Sequence, residues 1–330
     1  MNHDKFECTF NMPVALSGEN EFGLPPYAPQ EAYLVDDYED SLNSWMQSDE
    51  KVSSYFVGVK SNHGMWLDFN NNYNLDKEVA ILISVQGVNP ITGLPQKEPL
   101  LEQYNDMCPK HNIPFGKDRY CSECGYKWPK QNYLSTCGTP RGRLWLDGFR
   151  SIDGLVRQYI FTEEVARGVA ANIIGEKRVF AIGITFFESK KKKEVRLGGF
   201  NNRDYLDFNS SEATLGYKAP QSSISFSSLT TPRGNFKSDT NSYSASGSSV
   251  LRSRGIAKNS FQEDSQIEIG AGAKIKQSVY ECPEDLDFWV DKPSGMICIN
   301  YCPSSLVAKI ISKGDKYKKD GFMENIPVGN

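Results

Sequence analysis

Between residues 267 and 276 apolar and polar or glycine positions alternate strictly. Ile267, Ile269, Ala271, Ala273 and Ile275 are interleaved with Glu268, Gly270, Gly272, Lys274 and Lys276. A period of two predicts a strand with one buried face. Shorter continuous apolar runs rich in Val, Ile and aromatics predict further strands at SYFVGV (54–59), EVAILISV (78–85) and GMICINY (295–301). GVNPITGLP (87–95) is a strong turn signal after the second run, and GRLWLDGF followed by LVRQYIF (155–161) predicts another strand pair. In RVFAIGITFFES (178–189) one face carries Val179, Ala181, Gly183, Thr185 and Phe187, the other Phe180, Ile182, Ile184 and Phe186. Both faces are mostly apolar, so this segment reads as a central strand covered on both sides.

Helical spacing is rarer. Thr162 is placed as an N-cap with Glu163 and Glu164 in the first turn, Val165, Ala166, Val169, Ala170 and Ile173 follow at helical intervals, and Gly175 suits a C-terminal stop. PSSLVAKIISKG (303–314) has Pro303 near a start, Leu306, Val307, Ile310 and Ile311 on one face and Gly314 at the end. DDYEDSLNSWM is the one helical candidate in the first 50 residues, which otherwise read as an irregular lead-in broken by Pro13, Pro25, Pro26 and Pro29.

The expected fold is therefore α+β: a mixed or mostly antiparallel sheet with a few helices, an inserted zinc module and a long Ser-rich arm. The expected segments are the lead-in 1–50, a first sheet-forming segment 51–107, the zinc module 108–137, an α/β core segment 138–208, the arm 209–260, and a strand–strand–helix segment with a loose tail, 261–330. The arm holds fifteen serines in 52 residues, a linker composition, yet Phe226, Leu229, Phe236, Tyr243 and Val250 are spaced through it. An arm laid over a neighbouring subunit accounts for both features.

At 330 residues with 39% hydrophobic and 12% aromatic positions the chain can bury a core. No run approaches 18 apolar residues and the opening MNHDKFECTF is polar, so the expected location is the cytoplasm, or an assembly formed there. The formal net charge of −4 divides unevenly. Residues 190–258 carry twelve Lys/Arg, Lys190, Lys191, Lys192 and Lys193 among them, against five acids, or +7, which leaves −11 for the rest. Such a split suggests a basic segment that meets an acidic surface, which is nucleic acid, a neighbouring subunit or the acidic body of the same chain.

Five of the eight cysteines lie outside any ligand spacing, but Cys108-x2-His111-x9-Cys121-x2-Cys124 has the spacing of metal ligands: each pair approaches one ion from a tight turn, and two pairs complete a tetrahedron. The stretch resembles zinc-ribbon and zinc-knuckle modules over about residues 108–125, which implies one structural zinc. Cys137 is the alternative to His111 as fourth ligand. Four protein ligands leave no position for water, and His111 lacks the glutamate two residues on that zinc deaminases use, so the expected zinc does no chemistry. Lys127, Trp128, Lys130 and Tyr133, basic and aromatic residues beside the module, are candidate partner contacts together with Lys190–Lys193.

Three weaker signals complete the reading. IGAGAKIK (269–276) lacks the full pattern of a phosphate loop. Trp66-Leu67-Asp68 and Trp145-Leu146-Asp147, with Leu206-Asp207-Phe208 and Leu286-Asp287-Phe288, hint at a recurring strand-end turn and offer a carboxylate pair. With His3 in the lead-in and His111 assigned to zinc, His63 is the remaining general-base candidate. The favoured function is a non-enzymatic, self-assembling or protein–protein interaction protein with a structural zinc. A zinc-dependent nucleic-acid-binding protein is second and an enzyme third.

Overall fold

The computed structural model describes residues 1–312 apart from 19, 42–44, 140–143, 152–153, 194–266 and 278. The Ser-rich arm and most of the basic segment lie outside the described residues.

The apolar runs pair into two sheets. The larger follows the order Ala32–Leu34 (β4), Val52–Val59 (β5), Gly295–Pro303 (β16), Ala181–Lys192 (β14), Lys77–Val85 (β7), Val88–Asn89 (β8) and Leu94–Pro95 (β9), with Leu134–Ser135 (β10) also on β7. β5 and β16 run parallel and the other pairs antiparallel, so this sheet is mixed. Register places Ile83, Ile184 and Ile297 abreast on β7, β14 and β16, and Val85, Ile182 and Ile299 abreast two residues away. The smaller, antiparallel sheet runs Trp145–Leu146 (β11), Gly64–Asp68 (β6), Val156–Thr162 (β13) and Gly148–Arg150 (β12), with Glu268–Lys274 (β15) on β13 and Thr9–Asn11 (β3) on β6.

One core joins the two sheets. Phe10, Met65, Leu67, Tyr159, Phe161 and Ile269 from the smaller pack with Val57, Ile83, Ile184, Ile297 and Tyr301 from the larger, and the Phe161 and Tyr301 rings meet at 5.6 Å. Each such fully buried side chain contributes about 1.5–3 kcal/mol. The opposite face of β14 is covered too, since Phe187 packs with Tyr133 and Trp289, as its two-sided apolar pattern requires. The structure is thus sheet-rich, with few helices.

The chain start differs from an irregular lead-in. Asn2–His3 (β1) and Phe6–Glu7 (β2) form a hairpin, and Phe6, Cys8, Phe10 and Met12 are buried at alternate positions, with Asn11 between the last two also buried and accepting the Ala28 amide. His3 is buried beside Phe186 and bonds Ser53 through Nδ1.

The helix expected over 162–175 is also broken. Thr162 ends β13, and although its hydroxyl accepts the Glu164 amide as a cap would, a 3₁₀ turn at Val165–Arg167 is followed by extended Gly168, and only Val169–Ile173 (α1) is α-helical. Gly168 is taken up by a bridge to Gly270, and a Cβ there would come within 2.8 Å of a Glu268 carboxylate oxygen. This close approach to β15 overrides the helical spacing. The same crossing covers the second face of β15, so Glu268 is as buried as Ile267 and Ile269. Its carboxylate is neutralised by Arg178 at 2.6 Å and accepts from Gln86 at 3.2 Å. The expected C-terminal helix is present over 304–312, with Val307 and Ile310 buried against Val35 and Phe56, and Leu306 and Ile311 packed beside them.

Candidate metal centre

Residues 101–133 leave and rejoin the large sheet beyond β9. At the base Tyr104 N donates to Lys130 O at 2.7 Å, Asn132 N to Glu102 O at 3.1 Å, and Asn132 Oδ1 accepts the Glu102 amide at 2.8 Å. Distal to this base the chain makes two turns of the same construction. In the first, Asn112 N donates to Cys108 O and Cys108 N to Ile113 O, both at 2.8 Å, and Met107 bridges Pro114. In the second, Gly125 N donates to Cys121 O at 2.8 Å and Cys121 N to Tyr126 O at 3.1 Å, and Tyr120 bridges Lys127.

Every feature of the first turn recurs thirteen residues later. That includes the left-handed residue, Asn112 at φ 51° and Gly125 at φ 62°. These are the residue types for which that conformation costs least. The turns point their ligands at one another. Cys108 and Cys121 sulfurs lie 3.6 and 3.4 Å from His111 Nδ1, and the ligand atoms of Cys108, His111, Cys121 and Cys124 all fall within 4.8 Å of one another. A tetrahedral ion with metal–sulfur bonds near 2.3 Å sets ligands about 3.8 Å apart. The four residues can hold a metal ion, and His111 completes the group instead of Cys137.

The electrostatics suit a cation. Burial opposes ionisation of Cys121, but the Cys124 amide, the His111 and Cys108 side chains and the Glu123 amide outweigh it and bring the thiol down to about 6. Cys124 is raised, first by burial and then by the neighbouring sulfurs of Cys121 and Cys108, despite the Tyr126 amide. Several sulfurs in one site resist sharing negative charge until a cation offsets it.

Around the ligands lies a small apolar cluster of Tyr126 and Trp128 with Leu94, Tyr104, Ile113 and Phe115. Arg119 staples it: the guanidinium donates to the carbonyls of Trp128, Tyr104 and Asn105 at 2.8–3.2 Å, pairs with Asp106 at 3.0 Å and lies 4.5 Å over the Phe115 ring. Nothing in the spacing singled out Arg119. Asn112 was legible as the counterpart of Gly125.

The aromatic candidates for partner contact need correction. Trp128 is buried in this cluster and Tyr133 is fully buried against Trp289, so neither presents a ring face to an incoming base. Lys127 is half-buried, its ammonium 5.8 Å from the Tyr120 ring centroid, while Lys130 is exposed and reaches Glu281 at 3.9 Å. Lys190 pairs with Asp291 at 3.3 Å and Lys193 with Glu78 at 3.6 Å, and Lys191 and Lys192 are exposed at the end of β14.

The remaining motifs fall elsewhere. The two Trp-Leu-Asp tripeptides pair with each other, Leu67 opposite Leu146 and Asp68 opposite Trp145, so the aspartates are not set opposite one another. Asp68 accepts the Asn70 amide, the expected turn. Asp147 is fully buried, and burial, only partly offset by its own amide and the Trp145 side chain, pushes its carboxyl up to about 7. His63 sits in a turn with Nδ1 3.2 Å from Ser61 O. The backbone of 269–271 is committed to the ladder with β13 instead of to a phosphate loop.

Comparison of the chain with protein-family models, with curated proteins and with solved structures gives no match. No helix among the described residues is long and apolar enough to cross a membrane.

Proposed function

We propose that Cys108, His111, Cys121 and Cys124 bind one structural zinc in a zinc-ribbon-like module, and that the protein is a non-enzymatic interaction protein that assembles with further copies of itself. The observation that carries the zinc reading is the convergence of two equivalent turns on one point with three sulfurs and one imidazole nitrogen. Soft thiolates with one imidazole favour zinc, and four protein donors fill a tetrahedral shell, leaving no place for a substrate or an activated water. The metal would then stabilise a loop whose own apolar cluster is small.

Self-association is supported by the charge split, since the +7 segment of one copy complements the −11 remainder of another. Lys191 and Lys192 are described residues of that segment that are exposed. Light scattering of the full chain across a concentration series tests this reading. Growth of mass with concentration that is reversed by salt is expected, and a strict monomer at high concentration refutes assembly while leaving the zinc site to metal analysis. The nucleic-acid alternative retains cations but not the stacking residues Trp128 and Tyr133. It requires binding of single-stranded oligonucleotide that falls steeply with salt.

A further inference from the structure

Two cysteines outside the metal group come together from distant parts of the chain. Cys137 follows β10 and Cys282 precedes β16, and both flank the cluster built on Tyr133, Phe187 and Trp289. Their backbones are in close apposition. A Cβ at Gly138 would lie 2.8 Å from Pro283 Cδ and 3.0 Å from Glu281 O, so the residue after Cys137 touches the residues on both sides of Cys282. Gln131 fixes the second strand of this contact: its Oε1 accepts the Cys282 amide at 2.8 Å while its Nε2 donates to Tyr133 O at 2.8 Å. Both residues are only partly buried, unlike the fully buried Cys8, Cys298 and Cys302.

We propose that Cys137 and Cys282 form an oxidation site, a vicinal thiol pair that closes to a disulfide on reaction with a small hydroperoxide. The Cys282 sulfur contributes, after burial, to raising both the Tyr133 hydroxyl and the Cys137 thiol. Burial first, then the Cys282, Glu78 and Glu284 charges, push the Cys137 thiol up to about 12, so Cys137 keeps its proton and takes the second, resolving step. The Cys282 sulfur attacks one peroxide oxygen, the O–O bond breaks, and the departing oxygen takes up the thiol proton and leaves as water or an alcohol. The Cys137 sulfur then attacks the resulting sulfenic acid, the S–S bond forms, and hydroxide leaves with the Cys137 proton as water. Two thiols are oxidised by two electrons and the peroxide is reduced by two. The bond would tie the segment leading out of the metal module to the segment entering β16, across the 144 residues between them.

The test is graded hydrogen peroxide on the full-length, metal-loaded protein, followed by alkylation, peptide mapping and a zinc-release assay. The expected product is a Cys137–Cys282 cross-linked peptide that appears before zinc is released and disappears on reduction. In Cys137→Ser, Cys282 should instead be trapped as a sulfenic acid by dimedone, and in Cys282→Ser oxidation of Cys137 should fall roughly ten-fold. Both substitutions are at partly buried positions, and metal content with thermal unfolding checks that each variant is folded. Oxidation of the metal ligands while Cys137 and Cys282 remain alkylatable thiols overturns the proposal, as does a disulfide from Cys282 to any other cysteine.

Discussion

Replacing Cys121 by Ser removes a buried sulfur that reaches His111 of the other turn at 3.4 Å and whose thiol is brought down to about 6. Structural zinc sites contribute on the order of 10–16 kcal/mol in total, so one ligand of four accounts for about 3–4 kcal/mol, or a loss of roughly 100- to 1,000-fold in metal affinity. The apolar burial that survives is small, with Tyr126 and Trp128 as the only large buried side chains of the cluster, at about 2–3 kcal/mol each. The variant should therefore lose stoichiometric zinc after dialysis against a mild chelator, and residues 106–128 should lose amide protection. The two sheets should remain protected, since their core shares none of the cluster's residues. Elemental analysis and hydrogen exchange read by mass spectrometry measure both on one sample. Retained one-to-one zinc with unchanged protection over 106–128 would show that the four residues are not a metal site.

Other perturbations separate backbone, ionic and titration effects. Gly125→Ala meets no atom within 4 Å of the new Cβ but keeps φ at 62°, so it should cost only the backbone penalty of about 1–2 kcal/mol, seen as faster zinc loss with no change in the sheet core. Arg178→Ala leaves the carboxylate of fully buried Glu268 with Gln86 alone and should destabilise the fold by about 3–5 kcal/mol in urea unfolding, whereas Arg178→Ala with Glu268→Leu should recover much of the loss. Asp147 gives a pH signature. Its folded value of about 7 lies above its ordinary 3.8, so its stabilising contribution is complete below pH 3.8 and is lost as pH rises through 7. Asp147→Asn should match the native chain near pH 4 and exceed it at pH 8 by up to about 4 kcal/mol, and equal stability at both pH values would place the carboxyl in a better-solvated site.

The strands were legible because burial leaves a periodic or continuous apolar signature, and the runs at 54–59, 78–85, 178–189 and 295–301 all entered the larger sheet. The hairpin at the chain start carried the same signature in Phe6, Cys8, Phe10 and Met12, but charged and polar partners and nearby prolines masked it. The helix over 162–175 failed for a reason that no local pattern contains. Gly168 is claimed by a strand about a hundred residues away, and a tertiary contact outranked a propensity worth tenths of a kcal/mol per residue. Glu268 sits in an alternating pattern as though solvent-facing, yet it is buried because Arg178 and Gln86 arrive from other segments to neutralise it.

The metal group was legible for the opposite reason: its determinants are local. Each ligand pair is fixed by a six-residue turn, and the residue that lets the chain reverse, Asn112 or Gly125, stands directly after the second ligand. What remained hidden was which cysteines belong to the site. Spacing alone kept Cys137 open as a ligand, because nothing local says where residue 282 lies. Only the folded chain sets Gly138 against Glu281 and Pro283, and that contact takes Cys137 out of competition with His111. The eight thiols thereby sort by their surroundings: three half or fully buried beside an imidazole, two half-buried with neighbouring residues in contact, and three sealed in apolar core where Cys8 and Cys302 are pushed above the ordinary thiol value by burial. Reactivity toward metal, oxidant or neither follows from that sorting, since thiolate character and access, instead of cysteine count, decide what a thiol does.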